Sequence, residues 1–229
     1  MQDEPLHPVA GASVLIAGAS GGLGSQLAAE LDRRGAVLTL VARRSDRLDA
    51  VPAAGARLAT DLRSPDGCER AIESTIDHGG RLDMVINAVG VVAFGAVADL
   101  SIDAMEELFL TNTFVPIMLA RAAAGRIEPG GAIVNISGVI AEQNLPGMAA
   151  YGASKAALRS FDEAIRREFR RSKVRVLDAR PPHTETGLAD RAIEGETPRF
   201  AAGLSPAAVA VAICDALEAG VTDLPSSSF

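Results

Sequence analysis

The chain has 229 residues, 22 basic against 29 acidic side chains, a net charge of −7, 48% hydrophobic residues and two cysteines. That length suits one domain with a sizeable core. The acidic balance argues against a nucleic-acid binder, which needs a basic footprint for phosphates, and no run reaches the roughly 18 apolar residues of a membrane span.

The first residues, MQDEPLHPVAGAS, lack a basic segment followed by an apolar one. Residues 1–12 therefore read as an N-terminal extension and not as a signal peptide. Ser13–Ala17 (SVLIA) is a continuous apolar run that stops at glycines, as a buried parallel strand does. Leu23–Arg34 places Leu23, Leu27, Ala28 and Leu31 at helical spacing and stops at Gly35. Ala36–Ala42 is strand-like, Ser45–Ala53 a short helix and Arg57–Thr60 a third strand. Pro65–Asp77 is helical, with Ser64 as its cap and Pro65 in its first turn. Leu82–Asn87 is a fourth strand. Ser101–Ala124 is a long helix with a bend expected at Pro116. Ala132–Ile136 is a fifth strand, Tyr151–Arg171 a long helix, and Val174–Ala179 a sixth strand. Ser205–Ala219 is a helix, and Val221–Leu224 a short last strand.

Strands alternating with helices of this length predict an α/β fold: a doubly wound parallel sheet, Rossmann-like, of six to seven strands with helices on both faces, in a single domain. The least regular stretch runs from Pro181 to Leu204. A loop that long in a compact domain is usually functional, and residues 184–204 are read as a lid. Cys68 and Cys214 belong to no ligand cluster, so buried free thiols in a reducing cytoplasm are expected. His7, His78 and His183 have no metal-ligand spacing, and no catalytic metal is expected. The basic cluster Arg166, Arg167, Arg170, Arg171, Lys173 and Arg175 reads as a solvated helix end, where cations complement the dipole.

Three features carry chemistry. The first strand runs into Gly18-Ala19-Ser20-Gly21-Gly22-Leu23-Gly24 and then a helix. Glycines permit the tight turn, the close approach of backbone to a pyrophosphate and the close helix packing that a dinucleotide site needs. The helix N-terminus then offers free N–H groups to the phosphates. Ser20, Gly21 and Leu23 complete the candidate cradle formed with Gly18, Gly22 and Gly24. The second strand ends in Ala42-Arg43-Arg44, without the acidic residue that an NAD site carries for the ribose 2′-hydroxyl. Two arginines there favour NADP(H) over NAD(H), with Arg43 the first candidate for the 2′-phosphate and Arg44 the second.

The second feature is a rarity. Tyr151 is the only tyrosine, and Lys155 is one of only two lysines. At i and i+4 of one helix they share a face. A lysine ammonium beside a phenol favours the phenolate and lowers its pKa, giving a usable proton donor or acceptor for a carbonyl/alcohol interconversion. The third is Ser137, at the carboxyl end of the fifth strand, where ligands of open α/β sheets bind. Its hydroxyl can reach a substrate oxygen. A serine nucleophile is the competing idea, but His183 is the only nearby histidine and no acid is evident to orient it.

With these residues in place the chain resembles the short-chain dehydrogenase/reductases, in the group of single-domain enzymes about 250 residues long. The resemblance runs from about Ser13 to about Ala219. The family's glycine motif matches Gly18, Gly22 and Gly24. Its acidic residue after the third strand, which contacts the adenine, matches Asp61, followed by Leu62. Its Asn-Ala-Gly-type motif after the fourth strand matches Asn87-Ala88-Val89-Gly90. Its catalytic tetrad matches Asn112, Ser137, Tyr151 and Lys155. Its Pro-Gly segment matches Pro181-Pro182, with Thr184 and Thr186 as carboxamide contacts. Ala88 stands where members commonly have a second Asn. Pro182 replaces a Gly, which stiffens the backbone and removes an N–H.

The resemblance implies hydride transfer between nicotinamide and a substrate carbon. Tyr151 exchanges the proton, Ser137 polarises the substrate oxygen, Lys155 lowers the Tyr151 pKa and binds the ribose, and Asn112 holds a water. Val139 and His183 join Ser137 and Tyr151 as candidate substrate contacts. Ile140, Leu145, Met148 and Ala149 extend the wall, with Val91, Val92 and Phe94 opposite, so an apolar carbonyl or alcohol is expected. A homotetramer or homodimer, with no nucleic-acid or membrane partner, follows from the family and the composition. Two alternatives remain: a non-catalytic dinucleotide sensor on the same fold, and an epimerase or dehydratase, which would need a larger C-terminal domain.

Overall fold

A computed structural model describes residues 8–229; His7 and the first part of the expected extension lie outside the described residues. Val9 and Ala12, within that expected extension, are buried in the core. Seven parallel strands lie in the order β3-β2-β1-β4-β5-β6-β7. They are β1 Ser13–Ala17, β2 Val37–Ala42, β3 Ala56–Ala59, β4 Leu82–Asn87, β5 Ile127–Ile136, β6 Arg175–Ala179 and β7 Asp223–Leu224. Every residue of β1 and β4 is buried, which is why both read as unbroken apolar runs.

The helices are α1 Gly22–Arg33, α2 Ser45–Asp49, α3 Pro65–Gly79, α4 Ile102–Phe109, α5 Val115–Ala123, α6 Ala149–Glu168 and α7 Pro206–Glu218. On one face Leu27 and Leu31 of α1, Leu48 of α2 and Ile213 of α7 pack on the sheet. On the other, Ile72 of α3, Leu119 of α5 and Ile165 of α6 do so. Burying each such side chain stabilises the fold by about 1.5–3 kcal/mol. Local signals set the ends. Ser64 accepts from the Gly67 N–H at 3.1 Å to start α3, and Ser205 does the same for Ala208 at α7.

Three elements depart from expectation. The long helix does not bend at Pro116 but breaks a turn earlier, into a π-helical turn over Leu110–Phe114 in which the Val115 N–H reaches back to the Leu110 carbonyl. Pro116 supplies no N–H to the Asn112 carbonyl, and the ladder adapts before the proline. Strand β5 begins five residues earlier than Ala132, at Ile127, with a register shift against Leu82–Met84. Its Glu-Pro-Gly-Gly stretch has no strand pattern, and Gly131 is needed because a Cβ would stand 2.2 Å from the Asp83 carbonyl oxygen. The basic end of α6 is not simply solvated. Arg166 donates to the Thr222 carbonyl at 2.6 Å, and Arg175 to that of Leu217 at 2.8 Å. These bonds tie α6 and β6 to the end of α7 and to the residue before β7.

Candidate active site

Strand order reverses at β1, which lies between β2 and β4, and a crevice opens beyond the carboxyl ends of the strands at such a switch point. The glycine loop fills its floor. Gly18 has φ +79, and a Cβ there would meet the Ala88 backbone at 2.9 Å. At Gly24 it would meet the Gly18 carbonyl oxygen at 2.2 Å, so α1 can pack this close only without a side chain. Helix α1 starts at Gly22 with no side-chain cap, which leaves its N-terminal N–H groups for an anion.

Two cavities share Gly21, Ala88, Val89, Gly90, Leu188 and Arg191, and so form one groove. The end beside β2 has a volume of about 290 Å³ and is lined by Gly18, Ser20, Arg43, Arg44, Asp61 and Leu62, together with Arg47 and Arg63, which the sequence did not single out. The arginines differ. Arg44 is paired with Asp46 at 2.5 Å. Arg63 is paired with Asp61 at 2.7 Å and Glu107 at 3.1 Å, and it holds the Asp61 carboxyl below its usual range. Arg47 donates to the Ser20 carbonyl at 3.0 Å, beside the glycine loop. Arg43 has no ion-pair partner among the described residues.

The other end has a volume of about 310 Å³ and contains Gly22, Leu23, Ser137, Val139, Tyr151, Lys155, Pro181, Pro182, His183, Thr184 and Thr186. Of the candidate cofactor contacts, Gly24 and Asn87 line neither end. Asn87 is buried, donating to Asn135 at 3.3 Å and accepting from the Val89 N–H at 3.2 Å, so it fixes the turn that Gly90 presents. Asn112 also stands behind the wall. It accepts from the Val91 N–H and donates to the Val91 carbonyl, both at 2.9 Å, and donates to Ser154 Oγ at 3.0 Å.

Tyr151 and Lys155 share the inner face of α6, as their spacing predicts. Lys155 is buried and donates to the Ile136 carbonyl at 2.8 Å. Burial pulls its ammonium down to about 8, with the charges of Asp178 and Asp162 partly opposing. Tyr151 shifts against expectation: desolvation pushes its phenol up to about 12. Lys155, turned to Ile136, does not lower it in this geometry. Ser137 is buried and donates its hydroxyl to Asp178 Oδ1, not to an imidazole. The nearest acid to His183 is Glu185, at 3.5 Å. Among the described residues Ser137 forms no couple with a histidine.

Val92, Phe94, Ile140, Leu145 and Met148 line this end of the groove, but Ala149 does not, and Val91 lines the other cavity. The sequence missed Leu188, Ala189, Arg191 and Phe200, all from the 184–204 segment. Phe200 stacks on His183 at 4.7 Å and tilts against Phe94 at 6.1 Å. The 184–204 segment is pinned at both edges. Its ends bridge at Thr184 and Leu204. In its middle the Ile193 N–H reaches the Val92 carbonyl at 2.8 Å, the Phe94 N–H reaches that of Glu194 at 2.9 Å, and the Glu194 carboxylate accepts from the Ser101 N–H at 2.7 Å. Apart from the single turn Ala189–Arg191 it has no regular element, so no local periodicity marked it.

A family model described as short chain dehydrogenase matches residues 12–197. The chain belongs to the short-chain dehydrogenase family. It is 36% identical over 188 residues to 11-beta-hydroxysteroid dehydrogenase 1A of Arabidopsis thaliana, covering 78% of this chain and 54% of that protein. It is 29% identical over 189 residues to a hydroxynaphthalene reductase of Aspergillus fumigatus, covering 79% and 69%. The chain thus spans about half the length of its plant relative. Among solved structures, a dehydrogenase/reductase from Sinorhizobium meliloti superposes with a TM-score of 0.85 at 22% identity, covering 96% of this chain and 97% of that one. A short-chain dehydrogenase from Burkholderia cenocepacia, solved in complex with NADP, gives 0.84 at 25% identity, covering 96% and 89%. No helix among the described residues is long and apolar enough to cross a membrane.

Proposed function

We propose that the protein is an NADP(H)-dependent oxidoreductase that interconverts an apolar carbonyl compound and its secondary alcohol. The observation that carries this reading is the single groove that joins the glycine loop to the Tyr151–Lys155 pair. The residues fit a dinucleotide: α1 begins at Gly22 with no side-chain cap, which leaves its N–H groups for a pyrophosphate, and Ala88, Val89 and Gly90 line both cavities. NADP in the Burkholderia relative and the unpaired Arg43 support NADP over NAD.

A bound nicotinamide would supply or take up the hydride. Tyr151 gives its phenolic proton to the substrate carbonyl oxygen, or takes it from the alcohol. Lys155, held beside it by Ile136, would turn its ammonium to the ribose hydroxyls and bring positive charge to the phenol, reversing the upward shift that burial causes. Asn112 fixes Val91 and Ser154 and so keeps α6 in register with the strand ends. Phe94, Met148, Ile140 and Phe200 give an apolar wall suited to a ring ketone, and the names of the hydroxysteroid and hydroxynaphthalene relatives agree with that. The test is turnover of NADPH against NADH with cyclohexanone, tetralone and a quinone, and of NADP against NAD with cyclohexanol and tetralol. Turnover of at least one pair with NADPH preferred is expected; no turnover, or equal use of NADH, would overturn the reading.

A further inference from the structure

We propose that Asp178 is a positioning residue for the reaction, holding the Ser137 proton so that the serine oxygen meets the substrate as a hydrogen-bond acceptor and favours the alcohol over the carbonyl. The inference rests on the function proposed above.

The sheet register brings the two side chains together. Asn135 of β5 pairs with Asp178 of β6, and Ile136 with Ala179. Side chains alternate along a strand, so Asn135, Ser137, Asp178 and Arg180 all point to the face that α6 covers. Ser137, Asp178 and Arg180 are each no more than 2% exposed. The Ser137 hydroxyl donates to Asp178 Oδ1, and Arg180 Nη1 donates to Asp178 Oδ2. Arg180 is itself anchored by Glu142 and by Asp223, the latter at 2.8 Å, and Glu142 accepts from Ser226 at 2.6 Å. The carboxylate therefore has one oxygen fixed by a guanidinium and the other free only for Ser137.

A hydroxyl has one proton and two lone pairs. Ser137 spends its proton on a buried carboxylate, a charge-assisted bond roughly twice as strong as a neutral one. To polarise a ketone it would have to give that bond up. A substrate hydroxyl, by contrast, can donate to the Ser137 lone pairs with the Ser137–Asp178 bond intact. The role expected for Ser137, donation to a carbonyl, is thus disfavoured by its neighbour on β6.

The experiment compares KM for the best alcohol–ketone pair of the panel above in the unaltered protein, in Asp178→Ala and Asp178→Asn, and in each combined with Ser137→Ala. Arg180 keeps Glu142 and Asp223 throughout. Asp178→Ala frees the serine proton, so the ratio of KM for the alcohol to KM for the ketone should rise roughly three- to tenfold, the worth of one hydrogen bond. Asp178→Asn, which still offers an acceptor, should move it less. With Ala at 137, neither change at 178 should move the ratio. A ratio that stays fixed, or that moves equally with Ser137 absent, would overturn the inference while leaving the proposed function standing. Failure of both Asp178 variants to fold would assign the residue to the fold and also overturn it. Absence of turnover in the unaltered protein would remove both.

Discussion

Gly22 lies directly under Thr186: a Cβ on the glycine would stand 2.3 Å from the threonine carbonyl oxygen and 2.8 Å from its Cα. The first turn of α1 and the 184–204 segment are thus in close contact at Thr186, beside the groove that the cofactor is proposed to occupy. Gly22→Ala should push the two apart. Overpacking of this kind costs about 1–3 kcal/mol, so both the melting temperature and NADPH affinity should fall. Fluorescence titration with NADPH and thermal unfolding measure them. Unchanged values would mean that the segment at Thr186 can shift off the loop without penalty.

The arginines beside β2 make separate predictions. Arg44 is already neutralised by Asp46, whereas Arg43 has no such partner among the described residues. Losing a charged hydrogen bond to a 2′-phosphate costs about 1.5–3 kcal/mol. Arg43→Ala should therefore raise the Kd for NADPH by roughly tenfold or more and leave that for NADH nearly unchanged. Arg44→Ala should have the smaller effect. Equal losses for both cofactors would count against a 2′-phosphate site.

Tyr151→Phe removes the one phenol of the chain and nothing else from the groove. Turnover should vanish while NADPH binding stays within about twofold, since a twofold change is well under 1 kcal/mol. Near-normal turnover in that variant would sink the assignment of Tyr151 as proton donor. The single tyrosine also allows its titration to be followed by ultraviolet absorbance. In the free protein the phenol should ionise well above the ordinary value, towards 12, and saturating NADP should bring it down.

Much of this was legible because it is local. Ser64 and Pro65 start α3 within the sequence that forms it, and the glycine loop sits between a buried strand and a helix with nothing between them. The Tyr151–Lys155 pair needed only helical spacing. Other features arise from contacts between distant segments. The π-helical turn at Leu110–Phe114 answers the missing N–H of Pro116 and is tied to Ser154 of α6 through Asn112 and Thr113, and nothing in Leu-Thr-Asn-Thr-Phe announces it. Arg47 became visible only when α2 folded back on Ser20. Nothing in the sequence marked Asp178 or Arg180; the β5–β6 register and the covering helix make them a buried pair beside Ser137. The direction of the Tyr151 shift was missed for the same reason, since spacing reveals a neighbour but not the desolvation around it.

Asp162 offers a test in which pH sets the sign. It lies two turns beyond Lys155 on α6, fully buried; Oδ1 accepts from Asn135 at 2.6 Å, and Oδ2 has no partner. Burial, with the negative charge of Asp178 adding to it, holds its carboxyl well above the ordinary value of 3.8, against the pull of Asn135, Arg166 and Lys155. The folded state thus keeps a proton that the unfolded chain releases near pH 4. A raised pKa of this kind contributes stability that is complete below the unfolded value and is lost as pH rises through the folded one. Asp162→Asn keeps the acceptor for Asn135 and cannot ionise. Its unfolding free energy should match that of the unaltered protein, or fall slightly below it, at about pH 4, and exceed it by about 1 kcal/mol or more at pH 8, one pKa unit being worth about 1.4 kcal/mol. Urea unfolding at the two pH values measures the difference. A gap that does not widen with pH, or that widens in favour of the aspartate, would show that the carboxylate is stabilised as an anion by Lys155 and Arg166.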